Sequence, residues 1–183
     1  MPLITCAASL AHYGLLGPLE VIYLNGNYVD LSIVPLQHLA ALVFCVTEHV
    51  NICDFNDCDL VTLLDSIKSK SLNIFKSRSL GREETRALVR AMETRVERVG
   101  LDSFDAEALS EYSGQGRCWE FSAECIVKGN TAEQLKAWAK SRDWIVKYKK
   151  WSRIDGLITL NKPGVPKAMK LAMRQLLDKA QGI

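Results

Sequence analysis

Apolar residues recur along this chain in two rhythms, every second position in short runs and every third or fourth in longer ones, and the two rhythms alternate. The period-two runs are Val21 to Leu24, Val50 to Ile52, Leu72 to Phe75, Val96 to Leu101, Trp119 to Ala123 and Trp144 to Tyr148. Their β-branched and aromatic residues suit a half-buried pleated surface, so each predicts a short strand. The segments between them read as helices. Pro35 to Val46 sets Leu36, Leu39, Ala40, Leu42 and Val43 around one side, and Leu60 to Ile67 does the same with Leu60, Leu63, Leu64 and Ile67. Gly81 to Glu93 is the clearest helix, with Ser79 the expected cap and Glu83 and Glu84 where the helix dipole favours acids. Thr131 to Arg142 opens on a capping-box pattern and turns Leu135, Trp138 and Ala139 inward, while Pro166 to Ala180 reads as a basic amphipathic helix.

The alternation has an internal period. Leu19 to Val29 fits L-x-x-L-x-L-x-x-N-x-L, with Ile22 and Val29 in place of two leucines and Asn27 at the turn. Anchoring on the fourth position aligns Ile22 with Val50, Leu72, Val99, Phe121 and Trp144, at spacings of 22 to 28 residues. Those lengths are those of a leucine-rich repeat. The later copies put Phe55, Ser77, Phe104, Ile126 and Lys149 at the asparagine position, so their turns must close by other means. The expected fold is therefore α/β, a short leucine-rich-repeat-like solenoid of five or six sequential parallel strands with convex helices. Residues 1–16 form an N-terminal cap, 17–156 the strand-helix repeats, and 157–183 a C-terminal basic helix or cap. The alternative is a doubly wound α/β sheet, which a strand order reversing midway would reveal.

Strand alternation also predicts a binding face. With positions four and six of each copy inward, positions three, five and seven project from the other face of the sheet. One row then holds Val21, His49, Ser71, Arg98, Glu120 and Asp143, the next Tyr23, Asn51, Asn73, Gly100, Ser122 and Ile145, and the third Asn25, Cys53, Phe75, Asp102, Glu124 and Lys147. Large residues with rings or polar tips are the usual affinity anchors, which selects Tyr23, His49, Phe75 and Arg98, with Asn51 and Asn73 giving orientation.

Composition narrows the function classes. A hydrophobic fraction of 48% and a charged fraction of 24% fit one folded domain, and the chain has no apolar run long enough for a spanning helix. Leu3 to Leu16 is mostly apolar but lacks a basic flank, so a cytoplasmic location is expected. The net charge of +2 hides an asymmetry: residues 1–66 have no Lys or Arg and seven acids, whereas residues 126–183 have thirteen Lys or Arg and four acids. Opposite ends of this kind favour head-to-tail self-association. Of the six cysteines none forms C-x-x-C, and His49, Cys53 and Cys58 fall short of the four ligands of a structural zinc site, so no metal is expected.

Gly114-Gln-Gly116 lacks the rest of a phosphate loop and reads as a left-handed helix stop, which leaves no expected cofactor. All three histidines lie in the first 49 residues with no paired nucleophile in the pattern, so no catalytic residue is assigned and the chain is expected not to be an enzyme. Trp144 to Trp151 interleaves bases with aromatics, as nucleic-acid binders do. Strand alternation, with Trp144, Val146 and Tyr148 inward, explains the same pattern.

Three blocks, Cys58 to Ile67, Ser79 to Glu93 and Leu109 to Cys118, give the chain a resemblance over about residues 17–150. With them it resembles the divergent leucine-rich-repeat regions, ribonuclease-inhibitor-like, of NLR-like and death-domain-containing proteins of invertebrate chordates. The resemblance implies a non-catalytic protein-protein interaction module in innate-immune or cell-death signalling. Nucleic-acid binding through the basic C-terminal region and a small enzyme with an unrecognised site are the alternatives. No NACHT module, death domain or Walker A motif accompanies the resemblance, so their activities do not transfer.

Overall fold

Each period-two run becomes a strand, and most of the segments between them become helices. The computed structural model describes residues 3–26, 33–54, 59–75, 80–102, 104–126, 130–150, 155–164 and 175. In chain order the elements are α1 (Leu3–His12), β1 (Leu19–Asn25), α2 (Leu36–Phe44), β2 (Val46–Cys53), α3 (Leu60–Ser66), β3 (Ser71–Phe75) and α4 (Arg82–Thr94). There follow β4 (Arg98–Leu101), α5 (Ala106–Ser110), β5 (Glu120–Ile126), α6 (Asn130–Ser141), β6 (Ile145–Lys150) and β7 (Asp155–Asn161).

Helix starts are fixed by acids whose oxygens accept otherwise unpaired backbone N–H groups. Asp59 caps α3 by accepting from the Thr62 N–H at 3.2 Å and its hydroxyl at 2.7 Å, and Asp105 caps α5 by accepting from the Ala108 N–H at 2.7 Å. For α4 the cap is Gly81, whose N–H donates to Glu84 Oε2 at 2.8 Å, rather than Ser79, which lies outside the described residues. Gly114 takes the expected left-handed conformation at φ +80°. Gly116 does not; it is glycine because a Cβ there would stand 2.5 Å from Glu93 Cα.

The sheet has seven strands in the order β1-β2-β3-β4-β5-β7-β6. From β1 to β5 the strands are parallel and sequential, with Ile22, Val50, Leu72, Val99 and Phe121 in register. The inward residues Leu24, Val50, Ile52, Leu72, Ile74, Val99, Leu101, Phe121 and Ala123 are all buried and share one core with Leu39, Leu42, Leu63, Leu64, Leu88 and Met92. Each such Val, Leu, Ile, Phe or Met side chain contributes about 1.5–3 kcal/mol by leaving water. Successive helices from α1 to α6 touch their neighbours, so they lie side by side over this face.

The uniform repeat stack expected from the sequence ends at β5. The crossover through α6 skips one place before β6, and β7 returns antiparallel into the gap, pairing Phe121 with Leu160 and Leu160 with Val146. The domain is thus α/β with a mostly parallel mixed sheet, and an antiparallel strand toward one edge is common in large α/β sheets. The boundary placed at 156/157 falls inside β7, whose Ile158 and Leu160 are fully buried. Asp143 turns the chain at φ +55° instead of occupying a strand row, and Ile145 takes its place in the first row, opposite Asn161. Trp144 precedes the strand and is buried at 5% exposure, its ring 5.3 Å from Trp138 and 6.2 Å from Tyr112. Val146, expected inward, is exposed on the edge strand. The expected turn at Asn27 and the helix from Pro166 to Ala180 fall outside the described residues, apart from Gln175.

Cys118 sits at the end of the loop before β5, fully buried, and Tyr112 covers it with a hydroxyl that donates to the Cys118 carbonyl at 3.1 Å. Burial raises the pKa of this thiol far above the ordinary range.

Candidate ligand-binding face

Opposite the core, the register lines up two rows across the strands. Val21, His49, Ser71, Arg98, Glu120, Asn161 and Ile145 form the first, and Tyr23, Asn51, Asn73, Gly100, Ser122, Thr159 and Lys147 the second. The rows from β1 to β5 are those that alternation predicts. Their exposure is not. Tyr23 is open at 44%, whereas His49 and Asn51 are buried at 3% and 9%, and Asn73, Phe75 and Arg98 are half-buried. Anchors expected to stand free therefore form a partly sunken polar floor.

Its geometry is specific. Tyr23 presents its ring edge-on to His49, with centroids 6.1 Å apart. Burial first, and the positive charge of Arg98 second, hold the His49 imidazole down to a pKa of about 4, so it is neutral at neutral pH. Arg98 donates through Nε and Nη2 to one oxygen of Glu120, 2.8 Å from Nε, and its guanidinium lies 5.7 Å from the Trp119 ring. The pair balances its own charge between side chains only 20% and 17% exposed. Among the described residues, His49 Nδ1 and Arg98 Nη1 are buried with no hydrogen-bond partner. Ser71, 2% exposed, occupies the strand between them.

The second row is held by packing. Asn51 Oδ1 accepts from Cys53 Sγ at 2.8 Å, and Gly100 leaves room for its neighbours, since a Cβ there would fall 2.5 Å from Asn73 Oδ1 and 3.2 Å from the Phe75 ring. Ser71 and Glu120 belong to the site although sequence reasoning did not select them; their place in register beside Arg98 was the signal. Elsewhere, His38 is half-buried, stacked on His12 at 4.2 Å and 3.3 Å from the Ser9 hydroxyl. Cys58 lies outside the described residues, and among the described ones no group of three or more His, Cys, Asp or Glu is placed to hold a metal. No described helix is long and apolar enough to cross a membrane.

No family model and no curated protein matches the chain. Among solved structures it is similar to M. capricolum TrmK in complex with the natural cofactor product S-adenosyl-homocysteine, at 14% identity over 91% of this chain and 73% of that one, with a TM-score of 0.35. The mixed sheet, with β7 antiparallel between β5 and β6, overturns the leucine-rich-repeat solenoid, and the expectations tied to it, a non-catalytic module for protein binding in innate immunity and a chain that is not an enzyme, are withdrawn. At this TM-score the likeness carries neither a cofactor nor a reaction over to the present chain.

Proposed function

We propose that the face of the sheet opposite the helices binds a ligand through an acid group, a carboxylate or a phosphate, held over Ser71 between His49 and Arg98. The observation that supports this is the pair of buried unpartnered atoms, His49 Nδ1 and Arg98 Nη1, one strand to either side of Ser71. A buried polar atom without a partner costs about 1–3 kcal/mol, and an oxyanion between the two would satisfy both. Glu120 fixes the near edge of the guanidinium and leaves Nη1 for the ligand, while the imidazole donates from Nδ1. Adjacent strands lie about 4.8 Å apart, so β2 and β4 are about 10 Å apart, and a group reaching both His49 and Arg98 must displace what now buries His49 and Ser71. Tyr23 stands at the rim, where a ring contacts the rest of the ligand.

The anion opposes the charge of Arg98 and favours the imidazolium, so binding takes up a proton and tightens as pH falls toward 4. Sulfate, which does not titrate in this range, is the probe. Thermal unfolding with sulfate against sodium chloride of equal ionic strength should show stabilisation that grows toward acid pH, about 2.7 kcal/mol at a hundredfold excess over Kd. The gain should vanish in His49→Phe and in the charge-neutral pair Arg98→Met with Glu120→Gln. Equal stabilisation of wild type and both variants would mean general salting only, and would refute the site.

A further inference from the structure

Residues 1–46 hold only two charged side chains, Glu20 and Asp30, in a chain that is 24% charged. The same stretch holds six of the eight large apolar residues exposed among the described ones: Leu10, Tyr13, Leu15, Tyr23, Ile33 and Phe44. Depletion of charge with aromatic and aliphatic exposure is the composition of an interface centre. One face of the Phe44 ring is taken by the Lys68 ammonium, 3.4 Å from its centroid, which leaves the residue half exposed. Leu10, Tyr13 and Leu15 remain on and just after α1, the helix at the β1 end of the layer.

The two sheet edges differ in the same sense. Among the described residues neither β1 nor β6 has a partner on its outer side. β6 carries Lys147, Lys149 and Lys150, the kind of charge that guards an open edge against pairing. β1, Leu-Glu-Val-Ile-Tyr-Leu-Asn, has no lysine or proline and one charge, at Glu20. An unguarded edge beside a nearly charge-free helix is a surface prepared for a sheet to continue.

We propose that β1 pairs antiparallel with β1 of a second copy about a two-fold axis, and that α1 packs on its own copy in the helix layer. The strand is self-complementary in this arrangement. Pairing centred on Ile22 sets Val21 opposite Tyr23 of the other copy, an aromatic with a β-branched residue, and Glu20 opposite Leu24, so the two carboxylates stay apart. Antiparallel pairing supplies partners for the unpaired backbone groups of both strands at once, as an isologous contact requires. Neither α1 nor β1 carries a Lys or Arg that would recruit an acidic partner.

Sedimentation equilibrium of the full chain over a wide concentration range tests this. Wild type should approach a dimer of the 20.4 kDa chain and hold it in high salt. Tyr13 and Leu15 are 70% and 72% exposed, so Tyr13→Lys with Leu15→Lys should leave the circular dichroism unchanged and weaken association at least about tenfold. Lys147→Glu should leave the dimer intact. A wild-type monomer would overturn the proposal, as would a dimer indifferent to the Tyr13 and Leu15 changes. Assembly that grows past the dimer, or that is lost in salt or on Lys147→Glu, would overturn it in favour of a head-to-tail contact between the acidic and basic ends.

Discussion

His49 shows how much one side chain's surroundings decide. Its place in the first row follows from counting alternate residues, but its burial and its neighbour Arg98 depend on five strands meeting in register, which no local pattern encodes. The unfolded chain binds a proton at His49 below about pH 6.5, and the folded chain only below about pH 4. Stability from this group is therefore complete above pH 6.5 and lost as pH falls toward 4, by about 3 kcal/mol in all. Urea unfolding at pH 7 and pH 4.5 should show wild type losing more stability than His49→Gln; equal losses would remove His49 as the cause. Gly116 makes a similar point in the core. The sequence offers it as a helix stop together with Gly114, yet the structure uses it for a close approach to Glu93 and the Met92 carbonyl. Gly116→Ala should cost about 1–3 kcal/mol by displacing that backbone, measured as a lower denaturation midpoint with unchanged slope.

Among the elements, what could be read from the chain depended on length and on burial of one face only. The strands from β1 to β5 alternate cleanly and were recognisable, as were α2, α3, α4 and α6. Five-residue α5 is too short to show a helical period, and its only local sign is Asp105 three residues before Ala108. β7 does alternate, with Ile158 and Leu160 inward, but a strand that doubles back between two others cannot be placed by extending a repeat. Caps give the sharpest test at this scale. Asp59 accepts from both the backbone and side chain of Thr62, which hold its carboxyl below the ordinary range. Asp59→Ala should cost about 1 kcal/mol at neutral pH, and Asp59→Asn less; identical costs would mean that the oxygen acceptor is not what matters.

In the molecule as a whole, stability should be graded across the sheet. β3 has paired strands on both sides and a buried inner face, whereas β6 is paired on one side and exposes Ile145 and Val146. Amide exchange should be slowest in β3 and its neighbours β2 and β4, and faster in β6; uniform protection would indicate a single cooperative opening. The buried thiol of Cys118 supplies a clock for that opening. Cys6 is exposed, and Cys45 and Cys53 are half-buried, so a small thiol reagent reaches them in the native protein. Cys118 is shielded behind Tyr112 and held in its unreactive protonated form, so it can be labelled only while the loop before β5 and the sheet beneath it are apart. At high reagent concentration the labelling rate of Cys118 should cease to depend on reagent and equal the frequency with which the native molecule comes open, so that one sulfur atom reports the lifetime of the fold.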